Sequence, residues 1–468
     1  MFITKLYIIL LFLNFFIVSN YAGDIKKTVY VSSSAGSDAN AGGSIDLPLK
    51  TIERALSLGD TILLKRGDVF FERVSVNGKY IGAYGQGEQP MICGFKRPKK
   101  SSWISVGHNL WMIDLTADSF SGFSTEGSSF SNNVGALYEY DKDLVHGKRV
   151  QHLEGLNEDW DLFQTEKVAR PEVMAKDFDK LYICLTDNPN ELKLEIAVSG
   201  KAMSITGSTI EDIAFKGFGD GLYIYGNSVV RGCRIDVIGG SQFLWDPNDF
   251  CSLGNGINFW INNSPNDNSL VENNIISRCY DCGATIQGRP VNDTMNPHNI
   301  VIQNNIIYNC CQGYESFLRK EDSNDPMHYY DCFFRNNIVV NTGKTSGFGY
   351  PATRAKFCQV LSNNYTGSHG MIIEDNTFIG GNYYCAGGYK GKYNTNTWRR
   401  NKCYIKRGDY LLSNYFGTKD VIKIPFKGSA REAITRYREL TGDYTTKFII
   451  KRGTSINKKI NRQLRKLR

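Results

Sequence analysis

Histidine is scarce in this chain: six occur in 468 residues, at 108, 146, 152, 298, 328 and 369, and no two are spaced i,i+4. A zinc-protease helix needs that spacing, because residues one turn apart put two imidazoles on the same face. No phosphate-cradling glycine loop and no G-x-S-x-G nucleophile elbow occur either. The sequence therefore offers no motif for nucleotide-dependent chemistry or serine hydrolysis of that type. Past residue 22 there is no apolar run of the roughly 20 residues that a membrane-spanning helix requires. Acid is missing at one end. Lys447 to Arg468 holds nine Lys/Arg and no Asp or Glu, so the net charge of +8 belongs to the tail and the rest sums to −1. A near-neutral body without a recognisable binding module argues against nucleic acid as partner. The tail reads as a solvated end, dispensable for folding, with contact to an acidic glycan or membrane surface as the alternative.

What is present is a repeat. Glu272-Asn273-Asn274-Ile275-Ile276 returns 31 residues later as Gln303-Asn304-Asn305-Ile306-Ile307, and 32 further on as Arg335-Asn336-Asn337-Ile338-Val339. Weaker copies begin at Glu211, Arg231, Glu374 and Arg399. A fixed period of this length marks a solenoid, and β-branched residues between Asn/Gly turns mark its units as short strands. The units read as rungs of a parallel β-helix. The first position is always charged or amide-bearing, as suits a side chain in water. The fifth is apolar and stacks into an interior column. The third holds Asn at 274, 305, 337, 376 and 401, and these are expected to stack at roughly 4.8 Å and bond to one another and to turn backbone. They read as scaffold. Cys233 and Cys403 fall in interior columns as small apolar groups. Cys279 and Cys310, on successive rungs, have parallel orientations that do not favour a disulfide. The Cys279-to-Cys282 C-x-x-C lacks the further ligands of a zinc site.

Residues 1–22, with Lys5 followed by an apolar run from Leu6 to Val18, read as a secretory signal, so the protein is expected to be secreted or periplasmic. Residues 23–98 read as an N-terminal cap and the first rungs, with Pro48 in the first turn of a capping helix. From 99 to 202 the repeat vanishes among scattered aromatics (Trp103, Trp111, Tyr138, Trp160, Phe163), and an inserted β-rich subdomain is expected. The main coil occupies 203–405. Residues 406–468 form a C-terminal helix, opening on a capping box at Ser429 to Glu432, and the basic tail. The fold class is all-β, a solenoid with an insertion and two helical caps.

The opening YVSSSAGSDANAG with LPLKTIERAL, then GDTILLKRGDVF and GAYGQGEQPMICG, resembles the start of secreted right-handed parallel β-helix proteins of the pectate-lyase-like superfamily. GNGINFW, ENNIISRCYDCGATIQG and QGYESF resemble that group's central rungs, with Asn258 where an acid is frequent and Cys282 where Ala is usual. The resemblance implies a right-handed coil and work on polysaccharides.

Candidate chemistry concentrates on one strand column. After the turn glycine in successive rungs, alternation turns Tyr223, Tyr225, Asn258, Trp260, Thr285, Gln287, Glu315 and Phe317 outward. Rings in a row beside amides and a carboxylate suit a groove that stacks on sugars and bonds their hydroxyls. Asp281 and Glu315, about a rung apart, are the candidate acid/base pair of a glycoside hydrolase. Asp220, Asp246 and Asp249 are other acids near the same rungs. Arg289 and Arg319, with Lys320, could instead hold a uronate and remove its C5 proton, as in a lyase or epimerase, where Ca²⁺ would be the one cofactor to consider. The third alternative is a non-catalytic glycan-binding solenoid. A monomer acting on a polysaccharide is expected.

Overall fold

The computed structural model describes residues 27–115, 120–121, 133–170, 173–246, 249–318, 326–343, 347–349, 358–363, 368–381, 383–387, 395–413 and 421–466. The expected signal segment and Arg319 and Lys320 lie outside these residues.

The chain coils as a right-handed parallel β-helix with three strand faces per rung. The first face is a ten-stranded parallel sheet running from Thr28–Val31 to Thr397–Arg399. The repeated pentad begins at the end of each first-face strand and turns the corner into the second face. Its second position adopts positive φ in all seven copies: Asp212 (62°), Gly232 (63°), Asn273 (57°), Asn304 (57°), Asn336 (55°), Asp375 (56°) and Arg400 (55°). Asn, Asp and Gly tolerate this region better than other residues, which explains most of the pattern. Arg400 is held there by bonds from its guanidinium to Glu374 and Asp375.

The third position is the Asn ladder. Asn274 Nδ2 donates to Asn305 Oδ1 at 2.9 Å and to the Val230 carbonyl at 3.0 Å, while its backbone N–H donates to the same Asn305 Oδ1. Asn305, Asn337 and Asn376 repeat the arrangement onto Asn337, Asn376 and Asn401. Each side chain thus satisfies corner backbone that burial would otherwise strand. At the fifth position Phe215, Ile235, Ile276, Ile307, Val339, Phe378 and Cys403 stack in register and are fully buried.

The third face runs through Leu194–Thr206, Ala214–Ile224, Ile257–Ile261, Cys282–Gly288, Gln312–Leu318, Val360–Asn363 and Tyr383–Gly387. Leu194–Thr206 joins coil and insertion. Its second half pairs with Val74–Asn77 and Ala214–Ile224, and its first half pairs antiparallel with Val134–Glu139 of the insertion. The insertion has its own core, with Trp103 buried and Trp111 and Trp160 packed against it. Tyr138 instead stacks on Phe95 at the junction. An ion network fastens the insertion to the coil: Arg278 bonds both Asp236 of its own coil and Asp143 of the insertion, and Lys216 lies 3.6 Å from each carboxylate.

Three details differ from the sequence reading. The first helix is short, Ile52–Leu56, and starts after Pro48. Thr51 caps it by accepting from Arg54 N, and the Glu72 carboxylate accepts from Ile52 and Glu53 N–H. At the second helix, Arg431–Thr441, Ala430 is the cap residue and Ser429 Oγ accepts only from Arg431 N, so no capping box forms. The third difference is the tail. Lys447–Lys451 is a further rung paired in parallel with Lys402–Lys406, and Phe448 and Ile450 pack on the main core. The helix Gly453–Arg465 then buries Ile456 and Ile460 against Val340 and Ile379. Gly380 makes room for it, since a Cβ there would lie 2.7 Å from Ile460 Cδ1. Charge dominated the composition of this segment and hid an apolar residue every fourth position. Among the described residues no helix is long and apolar enough to cross a membrane.

Candidate functional site

The third face carries the candidate site, and its register follows from the strand pairs. Tyr223, Asn258, Thr285 and Glu315 are consecutive partners across four rungs, and Trp260, Gln287 and Phe317 across three. The neighbours that alternate with them, Ile224, Phe259, Ile286 and Ser316, point into the coil and are buried. Within the outward row the environments differ. Asn258, Thr285 and Glu315 are almost wholly covered, whereas Tyr223, Tyr225, Trp260, Gln287 and Phe317 keep part of their surface open. Arg289, just past the strand end, is also half-buried.

Asp281 enters from the corner between the second and third faces, next to Cys282, whose strand partner is Gln312. Gln312 Nε2 donates to Asp281 Oδ1 at 3.3 Å. The preceding Tyr280 packs edge-on against Phe348 at 5.3 Å, which walls this side.

Sequence reasoning undervalued Asp220. It lies on the rung two before Asp281 and is 2% exposed. Its Oδ1 accepts from the N–H groups of Gly221 and Asn255, and its Oδ2 accepts from the Tyr223 hydroxyl at 2.6 Å. Asn258 in turn hydrogen-bonds Tyr223. The Lys201 ammonium lies 3.9 Å from the Tyr223 ring centre and donates to the Tyr225 hydroxyl at 2.9 Å. The available signal was the Asp-Gly pair at 220–221, which opens this rung as Asp281-Cys282-Gly283 opens a later one.

The three carboxyls share one electrostatic condition. Burial raises Asp220 to about 6, although the Tyr223, Asn255 and Gly221 hydrogen bonds and the Lys201 charge pull the other way. Burial, and then repulsion from Asp220, raise Asp281 to about 7. Burial, and then repulsion from Asp281, lift Glu315 well above the usual carboxylate range. Burial thus holds both Asp281 and Glu315 above the usual carboxylate range. Around them Asn255 Oδ1, Asn258 Oδ1, Thr285 Oγ1 and Gln312 Oε1 are buried without a hydrogen-bond partner. Unsatisfied polar atoms are rare in a folded interior, and these four set this stretch of the coil apart from its apolar core.

Asp246 and Asp249 belong to an antiparallel pair of strands, Gln242–Asp246 and Asp249–Ser252, which form a sheet of their own and are not part of the third-face ladder. Among the described residues no three His, Cys, Asp or Glu side chains converge as a metal cage.

No protein-family model matches the chain, and no curated protein matches its sequence. Among solved structures it is similar to XylC in complex with xylose: TM-score 0.49, 15% identity, over 90% of this chain and 82% of that one. It is similar also to the GH136 lacto-N-biosidase of Eubacterium ramulus: TM-score 0.28, 13% identity, over 91% of this chain and 67% of that one. A tailspike protein mutant of E. coli bacteriophage HK620 aligns with TM-score 0.30 and 12% identity, over 76% of this chain and 56% of that one. These three TM-scores are all below 0.5.

Proposed function

We propose that the protein is a glycoside hydrolase of polysaccharides, with Glu315 as proton donor and Asp281 as base. The observation that carries the reading is Asp281 and Glu315 on adjacent rungs, both raised by burial and Glu315 further by the Asp281 charge, beside a row of half-open rings. In glycoside hydrolysis one carboxyl must be protonated to release the leaving oxygen while the other is ionised to activate water or attack the sugar. In this reading Glu315, the more deeply buried and lifted well above the usual carboxylate range, is the proton donor, and Asp281, raised to about 7, is the base. Asp220 stands behind Asp281, and its charge helps set when that base ionises. Tyr223, Tyr225, Trp260 and Phe317 would face sugar rings, and Asn258, Thr285 and Gln287 their hydroxyls. The same reading takes residues 1–22 as an export signal, because a polysaccharide substrate lies outside the cell.

Incubation with a panel of plant, host and bacterial glycans tests the proposal. New reducing ends without an ultraviolet-absorbing product support it. An unsaturated, absorbing sugar would replace it with the lyase reading, in which Arg289 handles a uronate and added Ca²⁺ is tested. Binding with neither product would leave a glycan-binding solenoid.

A further inference from the structure

The last two rungs of the second face carry an arrangement that folding alone does not explain. Lys402 pairs directly with Lys447, and Lys406 with Lys451, and all four ammonium-bearing side chains are exposed. Like charges facing across neighbouring strands oppose pairing. Among the described residues Asp409 supplies a counter-charge, 3.9 Å from Lys406. The helix Gly453–Arg465 lies alongside and adds Lys458, Lys459 and Arg462, followed by Lys466. Arg462 and Arg465 in its last turn complement the helix dipole, but Lys451, Lys458 and Lys459 do not stand where a dipole would favour them. Between strand and helix runs an open cleft of about 610 Å³, lined by Tyr404, Lys451, Lys458, Lys459, Arg462 and Lys466. The Lys459 ammonium caps the Tyr404 ring at 4.0 Å.

We infer that this cationic cleft is a binding site for an anionic polysaccharide, one bearing uronate carboxylates or sulfates, separate from the carboxylate site. It lies on another face and nearer the C-terminal end of the coil than Glu315. Three features select the ligand class. The charge is uniformly positive from Lys447 to the end of the helix, with no acid in that segment. The cleft follows the helix, so a linear chain can meet successive cations along it. The helix spends Ile456 and Ile460 on the coil, and no large apolar side chain on it is exposed, which leaves nothing to insert into a bilayer.

Full-length protein is run by affinity electrophoresis at roughly 0.1 M salt, where charges beyond about 10 Å are screened, through gels holding polygalacturonate, heparin or neutral dextran. The expected result is retardation by at least one polyanion, weakened by added salt, and none by dextran. Replacing Lys451, Lys458 and Arg462 together by Gln should weaken retention about tenfold, as three lost exposed ion pairs allow. The control Lys50→Gln/Lys99→Gln/Lys100→Gln should retain it, and Lys451→Arg/Lys458→Arg should too. Melting of the Gln variant at the wild-type temperature ties the loss to binding. Absence of retardation by both polyanions would overturn the inference. So would equal retardation of the triple variant, or binding to phosphatidylglycerol vesicles without any effect of the glycans. None of these outcomes depends on hydrolysis by Asp281 and Glu315.

Discussion

The Tyr223 hydroxyl donates to Asp220 Oδ2 at 2.6 Å, joining two residues that strict strand alternation would put on opposite faces. The bond partly offsets the burial of Asp220, whose pKa still stands at about 6. Tyr223→Phe removes a charge-assisted donor from a buried carboxylate and should cost about 1–3 kcal/mol when Asp220 is ionised. Denaturant unfolding at pH 8 should show that loss, and at pH 5, where Asp220 is largely protonated, the loss should shrink. An equal loss at both pH values would detach the effect from the carboxylate.

Asp281 and Glu315 bind protons more tightly folded than unfolded, so folding takes up protons and stability must fall as pH rises. The window opens near the unfolded value of 3.8 for Asp281 and extends through about 7, with Glu315 continuing it upward. The unfolding midpoint should therefore be lower at pH 8 than at pH 5. Glu315→Gln should flatten that dependence and be the more stable protein at pH 8. Asp143 and Asp236 have the opposite sign: with Arg278 beside them their pKa values are lowered, so their contribution is lost only as pH falls below 3.8.

The Asn ladder should be expensive to interrupt. Asn305→Ala removes the side-chain bonds to Asn274, Asn337 and the Val271 carbonyl at once, and takes their partner from the buried Asn274 N–H and the Val271 carbonyl of the preceding rung. A loss of roughly 2–5 kcal/mol in unfolding free energy is expected. Gln303→Ala, two positions earlier in the solvent-facing column, should stay within about 0.5 kcal/mol.

Removing the chain after Asp443 should damage the fold. The cut deletes the rung Lys447–Lys451 and the helix that covers Val340 and Ile379, and it opens the edge of Lys402–Lys406. Loss of a cooperative melt, or aggregation on expression, is the expected outcome. A soluble truncated protein with the wild-type midpoint would show that the last rung is ornamental.

The coil was legible because its signals are local and repeated: Asn at the third pentad position, an apolar fifth, and a first that tolerates any polar group. The outward row from Tyr223 to Phe317 followed from alternation on strands of known start. Asp220 was harder, since its partnership with Tyr223 arises from a bend and not from a period. The covering of Asn258, Thr285 and Glu315 depends on how neighbouring segments close over them, which a strand pattern does not contain. The C-terminal rung and helix were obscured because their cations outnumber Phe448, Ile450, Ile456 and Ile460, whose spacing mattered more than their number.

The most direct test compares Glu315→Gln with Glu272→Gln on whichever glycan the wild-type protein cleaves. Glu272 belongs to the solvent-facing first-face column, where Gln303 and Arg335 follow it on the next rungs and Gln303 donates to it at 3.0 Å. Its replacement should leave turnover within about a few-fold, as for a half-buried position on another face without a chemical role. Glu315→Gln keeps the shape and removes the proton donor, and turnover should fall by at least about 10². Wild-type turnover should also rise with pH through about 7, as Asp281 ionises, and fall where Glu315 loses its proton. Equal turnover of the two variants would contradict the assignment of Glu315 and with it the paired-carboxylate mechanism.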